Sequence, residues 1–424
     1  MSSRAMHFYQ GLLLSIGIVA VADTAVEFTG RRYLRDREQW RIQEAEKERA
    51  RLQSYHRVAP TENVVEQNAA VWYRLALARS ARQPAEDARD VALGTAMLQP
   101  GDEPSLARLM SGPCRESTQG ARMREALRSS MCDWELTSIA GDRPEASQAL
   151  LVGNCLVVEG HWHAVRRQWA EATDSYRRAL SFAGDLGQGD FSMNLVGMAV
   201  AKAALDGFGA LARTAAMPSA LWARIGDDLA RFEAVLPSTD AGIRLARLSA
   251  AANVEIDART YIRDISSGVS WIWPSAAAAG WHVSRAERLL DLLQQTSDAR
   301  TQQDREGLAA EVDRLVRASH SETIRDSIPD NLVGAVKSEL YLVRIYRSIR
   351  AAIELQQRRL AEGRFPANAA TLTPYLESKG LHYESSKDGD EYRIVAEDSG
   401  GSHAVIVTGH LTVPAAPTQS PKRP

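Results

Sequence analysis

Signatures of known chemistry are missing from this 424-residue chain. It has no Gly-x-Ser-x-Gly elbow, P-loop, His-Glu-x-x-His pair or dinucleotide-binding glycine fingerprint, so the common hydrolase, nucleotide, zinc-protease and hydride-transfer chemistries have no motif to rest on. Cysteine is scarce. Cys114, Cys132 and Cys155 are the only three, and none forms a Cys-x-x-Cys pair, which argues against a zinc knuckle or a thioredoxin-like centre. Neither sign of charge dominates: 51 Lys plus Arg face 53 Asp plus Glu, so no bulk field would draw in nucleic acid. Aromatics supply 6% of the residues, while Ala and Leu abound, a composition that favours helices.

Long hydrophobic runs are also few, and the one near the start is the most informative. Arg4 precedes an apolar stretch from Gly11 to Ala22, and Arg31, Arg32, Arg35 and Arg37 follow it. Twelve residues match the apolar region of an export signal, with Ala20-Val21-Ala22 as a small-x-small cleavage site, but fall short of the ~20 needed to cross hydrocarbon. Extending the helix over Phe8 to Phe28 gives that length, with Tyr9 and Phe28 as interfacial aromatics and Asp23 and Glu27 near one end. The anchor is the preferred reading, with cleavage after Ala22 as its alternative. Orientation has two readings as well. Eight Lys or Arg within 31–51 alone predict a cytoplasmic body, whereas the Ala-Val-Ala site and the carboxy-terminal pattern predict an extracytoplasmic one, which is the expectation adopted.

The predicted organisation is a membrane segment over 1–30, a charged helical stalk over 31–58, an α-helical body over 59–330, a long helix plus small antiparallel sheet over 331–412, and a proline-rich disordered tail over 413–424. The fold class is mainly α, with a small α+β end. Apolar spacing predicts helices over 63–81, 145–165, 169–183, 192–211, 218–236, 239–265, 284–296, 302–319 and 331–361, and strands over 381–384, 391–396 and 403–408. The segment Glu116–Ser130 reads as one helix, which would hold Cys114 and Cys132 roughly 20 Å apart and leave a bridge between them to a chain reversal. Cys155, inside the apolar run Leu150–Val158, reads as a buried small hydrophobe.

In the hairpin predicted over 145–183, Ala149, Cys155 and Val158 are expected to meet Ala172, Tyr176, Ala179 and Phe182. The string Gly160-His161-Trp162 through Trp169-Ala170-Glu171-Ala172, Tyr176 and Arg177-Arg178-Ala179-Leu180 resembles a tetratricopeptide unit, without the proline expected after Ala183 and without recurrence at about 34 residues. The resemblance implies irregular helical hairpins rather than a repeat array. Further on, Ile353 to Glu362 runs into Gly363-Arg364-Phe365-Pro366, a short helix over 368–375 and a β-meander. That order resembles the globular end of type II secretion pseudopilins, whose prepilin signal is missing from the start of this chain. A broader resemblance joins Asn68-Ala69-Ala70 with Tyr73, Cys132-Asp133-Trp134, the helices over 149–208 and residues 353–397. It is to uncharacterised bacterial membrane-anchored helical envelope proteins, and it implies an architecture and an envelope address but no activity.

Candidate chemistry is thin. Glu159, His161 and His163 form the only histidine cluster, but His161 points away from the face the other two share, so they read as polar helix residues beside Trp162. Trp271, Trp273 and Trp281 read as packing around a helix break at Pro274. Gly184 to Asp190 follows a helix rather than a strand and reads as a stop, Asp227-Asp228 as a helix surface, and Asp388 and Asp390 as parts of a hairpin turn. No catalytic, cofactor-binding or metal residue is assigned, and no cofactor is expected. The functional expectation is a non-enzymatic scaffold or partner-binding protein of the bacterial envelope, held to the inner membrane by residues 8–28, with protein partners and no nucleic acid. The alternatives are an envelope hydrolase with a site in a helical groove, and an accessory subunit of a secretion or pilus machine.

Overall fold

The computed structural model describes residues 28, 31–51, 55, 57–58, 65–80, 85–115, 121–132, 134, 146–213, 217–266, 273–299, 301–318, 328, 331–365, 381–385, 391–397 and 403–410. The expected membrane segment (Phe28 apart), the short helix over 368–375, the turn holding Asp388 and Asp390 and the tail over 413–424 lie outside these. The chain is mainly helical. Contacts divide it into two units, Met1–Leu52 with Ile243–Val336, and Gln53–Gly242 with Lys337–Pro424. That division does not follow the sequence-based cuts at 58 and 330.

In the second unit, β1 (Val65–Asn68) precedes α2 (Ala69–Ser80) where the apolar spacing suggested one helix from Asn63. The Asn68 side chain accepts the Ala70 N–H at 3.0 Å, capping the helix and ending the extended segment before it. Helices α3 (Ala85–Gly94), α4 (Glu103–Ser111) and α5 (Ala121–Arg128) follow, and β2 (Ser129–Met131) pairs in parallel with β1. Strand β2 thus takes the end of what read as one helix over 116–130.

The centre is a three-helix packing of α6 (Ala146–Val165), α7 (Trp169–Leu186) and α8 (Phe191–Ala212). Arg167 makes the turn between α6 and α7 with φ at 61°, and Gln168 N–H donates to the His163 carbonyl at 2.9 Å, closing α6. Tyr176 of α7 fills the space between Gly160 of α6 and Gly207 of α8, where a Cβ at either glycine would overlap its ring. Ala149, Ala172, Tyr176, Ala179 and Phe182 share the main core, as the hairpin pattern predicted. Cys155 and Val158 do not. They lie on the opposite side of α6, in a second cluster with Val91, Leu106, Leu109 and Cys114. There Cys114 and Cys155 are joined by a disulfide, with Cα atoms 5.1 Å apart. Cys155, which read as a buried small hydrophobe, is thus the partner of Cys114: the turn after α4 sets Cys114 against α6, while Cys132 is buried outside the bond.

Helix α8 begins on an N-cap, Asp190, whose carboxylate accepts the Met193 N–H at 2.9 Å. It is the one helix among the described residues long and apolar enough to cross a membrane, with 22 residues and a mean hydropathy of 1.5, and 61% of its apolar window is buried within the fold. Next comes α9 (Ser219–Phe232), then α10 (Thr239–Ser266), α11 (Trp273–Asp298), α12 (Gln302–Arg317) and α13 (Leu332–Glu362). Gly363, at φ 79°, turns the chain out of α13, and Phe365 meets Tyr392 edge-on at 4.8 Å. Strands β3 (Leu381–Ser385), β4 (Glu391–Glu397) and β5 (His403–His410) form the predicted antiparallel meander. Phe365, Leu381, Tyr392 and Ile394 belong to the core that also holds α6 to α9. The terminal sheet thus shares its core with the helical body.

In the first unit, residues 31–51 form α1, which lies along α10 and α11 through a ladder of charges. Arg37 donates to Glu287 at 2.6 Å, Arg41 to Glu255 at 3.0 Å and Arg244 to Glu48 at 3.1 Å. Glu38 and Arg259 close at 3.2 Å, Glu44 and Arg247 at 3.6 Å. The Trp40 ring sits between the Arg37 and Arg247 guanidiniums, 5.0 and 4.7 Å from its centroid. Several of the interleaved acids and bases that suggested a solvated stalk are thus paired with an opposing helix face, while Arg32 with Asp36 and Lys47 with Glu44 pair along α1 itself.

Candidate functional site

Two buried polar clusters come first, because each has the residue types of an active site. Arg57 and Asp185 have side chains with no exposed surface, paired through Nε at 2.9 and 2.7 Å. Arg57 also donates to the Ser129 and Leu127 carbonyls and, at 2.8 Å, to the Tyr73 hydroxyl. Tyr73 donates in turn to Asp185 at 2.8 Å, and the Trp134 indole donates to the Asp185 carbonyl at 2.7 Å. Burial pushes the Tyr55 and Tyr73 phenols well up, keeping both protonated as donors to Asp185. The guanidinium's three nitrogens are all engaged within the protein and its side chain has no solvent face. The cluster ties α2, β2 and α7 together; it offers no position to a substrate.

In the histidine cluster, Glu159 and His161 are buried and His163 is half-buried. His161 has no exposed surface, its Nδ1 2.6 Å from the Tyr176 hydroxyl and its Nε2 2.7 Å from the Thr95 carbonyl. A carbonyl only accepts, so Nε2 carries the proton and Nδ1 accepts from Tyr176. Burial brings the imidazole down to about 4, so it is neutral at pH 7. Glu159 pairs with Arg178 at 2.7 Å and His163 with Gln168 at 2.8 Å, so the three residues do not converge. Among the described residues no group of three or more His, Cys, Asp or Glu is placed to hold a metal. Asp228, expected on a helix surface, is buried and paired with Arg177 at 2.7 Å, which links α7 to α9. Its neighbour Asp227 stays on the α9 surface. Trp271 lies outside the described residues, as do the side chains of Trp273 and Trp281.

Among the described residues, a groove of about 400 Å³ opens between α8 and α13. Leu195, Met198 and Lys202 rise from α8, and Lys337, Tyr341 and Leu342 from α13. The floor is chiefly apolar, and two of its large side chains reach solvent: Leu195 is 38% exposed and Tyr341 49%. The Lys202 ammonium lies 6.0 Å from the Tyr341 ring centroid and 2.7 Å from Asp206. Glu339 turns away from the groove: its carboxylate accepts the Thr239 N–H at 2.9 Å, at the start of α10.

Sequence reasoning missed Arg57, Asp185 and both sides of this groove. Asp185 sits in a stretch that read as a glycine-rich stop, yet α7 runs on to Leu186 and carries it inward; a lone acid among small and apolar helix residues was the available signal. For Leu195 and Tyr341 the signal is weaker, since periodicity does not tell a buried apolar face from an exposed one. The paired elements Asn68-Ala69-Ala70 with Tyr73, and Cys132 with Trp134, do come together: Tyr73 stacks on Trp134 at 5.9 Å, both on Asp185. Compared with known proteins, the chain matches no family, no curated protein and no solved structure.

Proposed function

We propose that this chain is a non-enzymatic, partner-binding protein of the bacterial envelope, anchored through residues 8–28, with its body outside the cytoplasm. The observation that carries the binding reading is the solvent-open apolar groove between α8 and α13, with Leu195 and Tyr341 exposed on it. Grooves between helices are a common place for proteins to receive ligands and partner segments. The polar clusters that resemble catalytic machinery are sealed within the fold, which favours scaffold over hydrolase. The Cys114–Cys155 disulfide supports an oxidising compartment, where such bonds persist. The resemblance of the stretch from Ile353 through Gly363-Arg364-Phe365-Pro366 to pseudopilins supports a partner within an envelope assembly.

A photo-crosslinking residue introduced at 195 or 341 of the full chain, in native membranes, tests the reading. Discrete protein adducts at both positions, absent at the exposed control Leu93, are the expected result. No adducts, or equal adducts at Leu93, would overturn it.

A further inference from the structure

We infer that the α8–α13 groove receives an amphipathic helix whose apolar ridge is flanked by acidic residues; this rests on the partner-binding reading above. The two walls set the shape of the occupant. Leu195, Met198 and Lys202 follow one another along α8 at spacings of three and four, and Lys337 and Tyr341 stand four apart on α13. Each wall is thus a single helical row, and the trough between two such rows takes the ridge of a third helix. A partner ridge with apolar residues at i, i+3 or i+4 and i+7 would cover Leu195 and Tyr341 together.

The rim sets the charge of the occupant. Lys202 and Lys337 are the charged residues lining the groove, one on each wall. The nearby acids balance them only in part: Asp206 pairs with Lys202, half open to solvent, while Glu339 is turned to the Thr239 backbone and not to Lys337. A partner helix therefore meets an apolar floor between two ammonium groups, and acids on both of its flanks complement them. The apolar ridge supplies most of the affinity, and the lysines select the partner and speed its approach.

The test uses the full chain in detergent and three helical peptides of about five turns with one leucine ridge and flanks of Glu, Gln or Lys. Fluorescence anisotropy at low salt should rank Glu above Gln above Lys, with about tenfold between the extremes. The double variant Lys202→Glu/Lys337→Glu should reverse that order, and Leu195→Asp should abolish binding of all three, each with an unchanged circular dichroism spectrum and melting midpoint. Equal binding of the Glu and Lys peptides would overturn the charge inference while leaving the groove as a binding site. No peptide binding, with crosslinks at 195 and 341 retained, would overturn the helix as occupant. Recruitment of the chain by phosphatidylglycerol vesicles through the same residues, with no peptide bound, would replace it with a lipid surface. Loss of crosslinks as well would remove the partner-binding reading itself.

Discussion

A buried arginine and carboxylate stabilise a protein only while both are present, because either one alone is a charge without water. Replacing Asp185 by Ala leaves the Arg57 guanidinium enclosed and should cost about 3–5 kcal/mol, read as a shift in the urea midpoint. The double replacement Arg57→Met/Asp185→Leu should cost less than the single. A single-variant loss below about 1 kcal/mol would place the pair on the surface energetically. His161 makes the matching pH argument. Burial holds its folded value at about 4, below the unfolded value of ~6.5, so the unfolded chain binds the proton first as pH falls. Its contribution is complete above about pH 6.5 and declines toward pH 4, by about 3 kcal/mol in all. Urea midpoints compared at about pH 7 and pH 4.5 should fall more steeply for the wild type than for His161→Gln. Parallel lines would contradict the assignment. Neither residue announced its environment in the sequence. Asp185 stood beside glycines, and His161 stood in a cluster whose helical spacing gave no hint of Thr95 across the fold.

At the scale of elements, apolar periodicity located most helices because their buried stripes are regular: α6, α8 and α13 lie within a residue or two of the predicted bounds. The strands β3 to β5 likewise lie within a residue or two of the predicted segments. Periodicity failed where one element serves two neighbours. Helix α6 buries Ala149 and Val152 on one side and Cys155 and Val158 on the other, so an apolar run alone could not say which would face α7. It also gave no sign of what α1 packs against, because the partner-facing residues of α1 are charged. A helix held by such a ladder should respond to ionic strength more than one held by leucines, since its ion pairs are only partly enclosed. Amide exchange over residues 31–51 should therefore quicken between low salt and about 1 M salt, while exchange in α6 to α8 stays nearly constant. Uniform behaviour across both sets of helices would contradict the ladder as the main restraint on α1.

For the whole molecule, the disulfide and the groove carry the account. Cys114–Cys155 closes a loop with a sequence separation of 41, for which chain entropy predicts about 4 kcal/mol of stabilisation. Cys114→Ser should lower the urea midpoint accordingly, and reductant should lower the wild type to nearly the same value but leave the variant unmoved. If reductant has no effect on the wild type, the bond is not formed and the support for an oxidising compartment goes with it. Sequence indicated the mainly helical class, since composition and period both favour helices. It could not indicate the groove, which exists only because α8 and α13 meet though more than a hundred residues separate them.

The central claim is that the face between α8 and α13 binds a protein. It is tested most directly by recovering the full chain from native membranes under mild crosslinking and comparing wild type with Leu195→Asp, Tyr341→Asp and the control Leu93→Asp. The account predicts one partner in constant ratio with wild type and the control, lost from the two groove variants while their melting midpoints are unchanged. Equal recovery of that partner with all four proteins would contradict it.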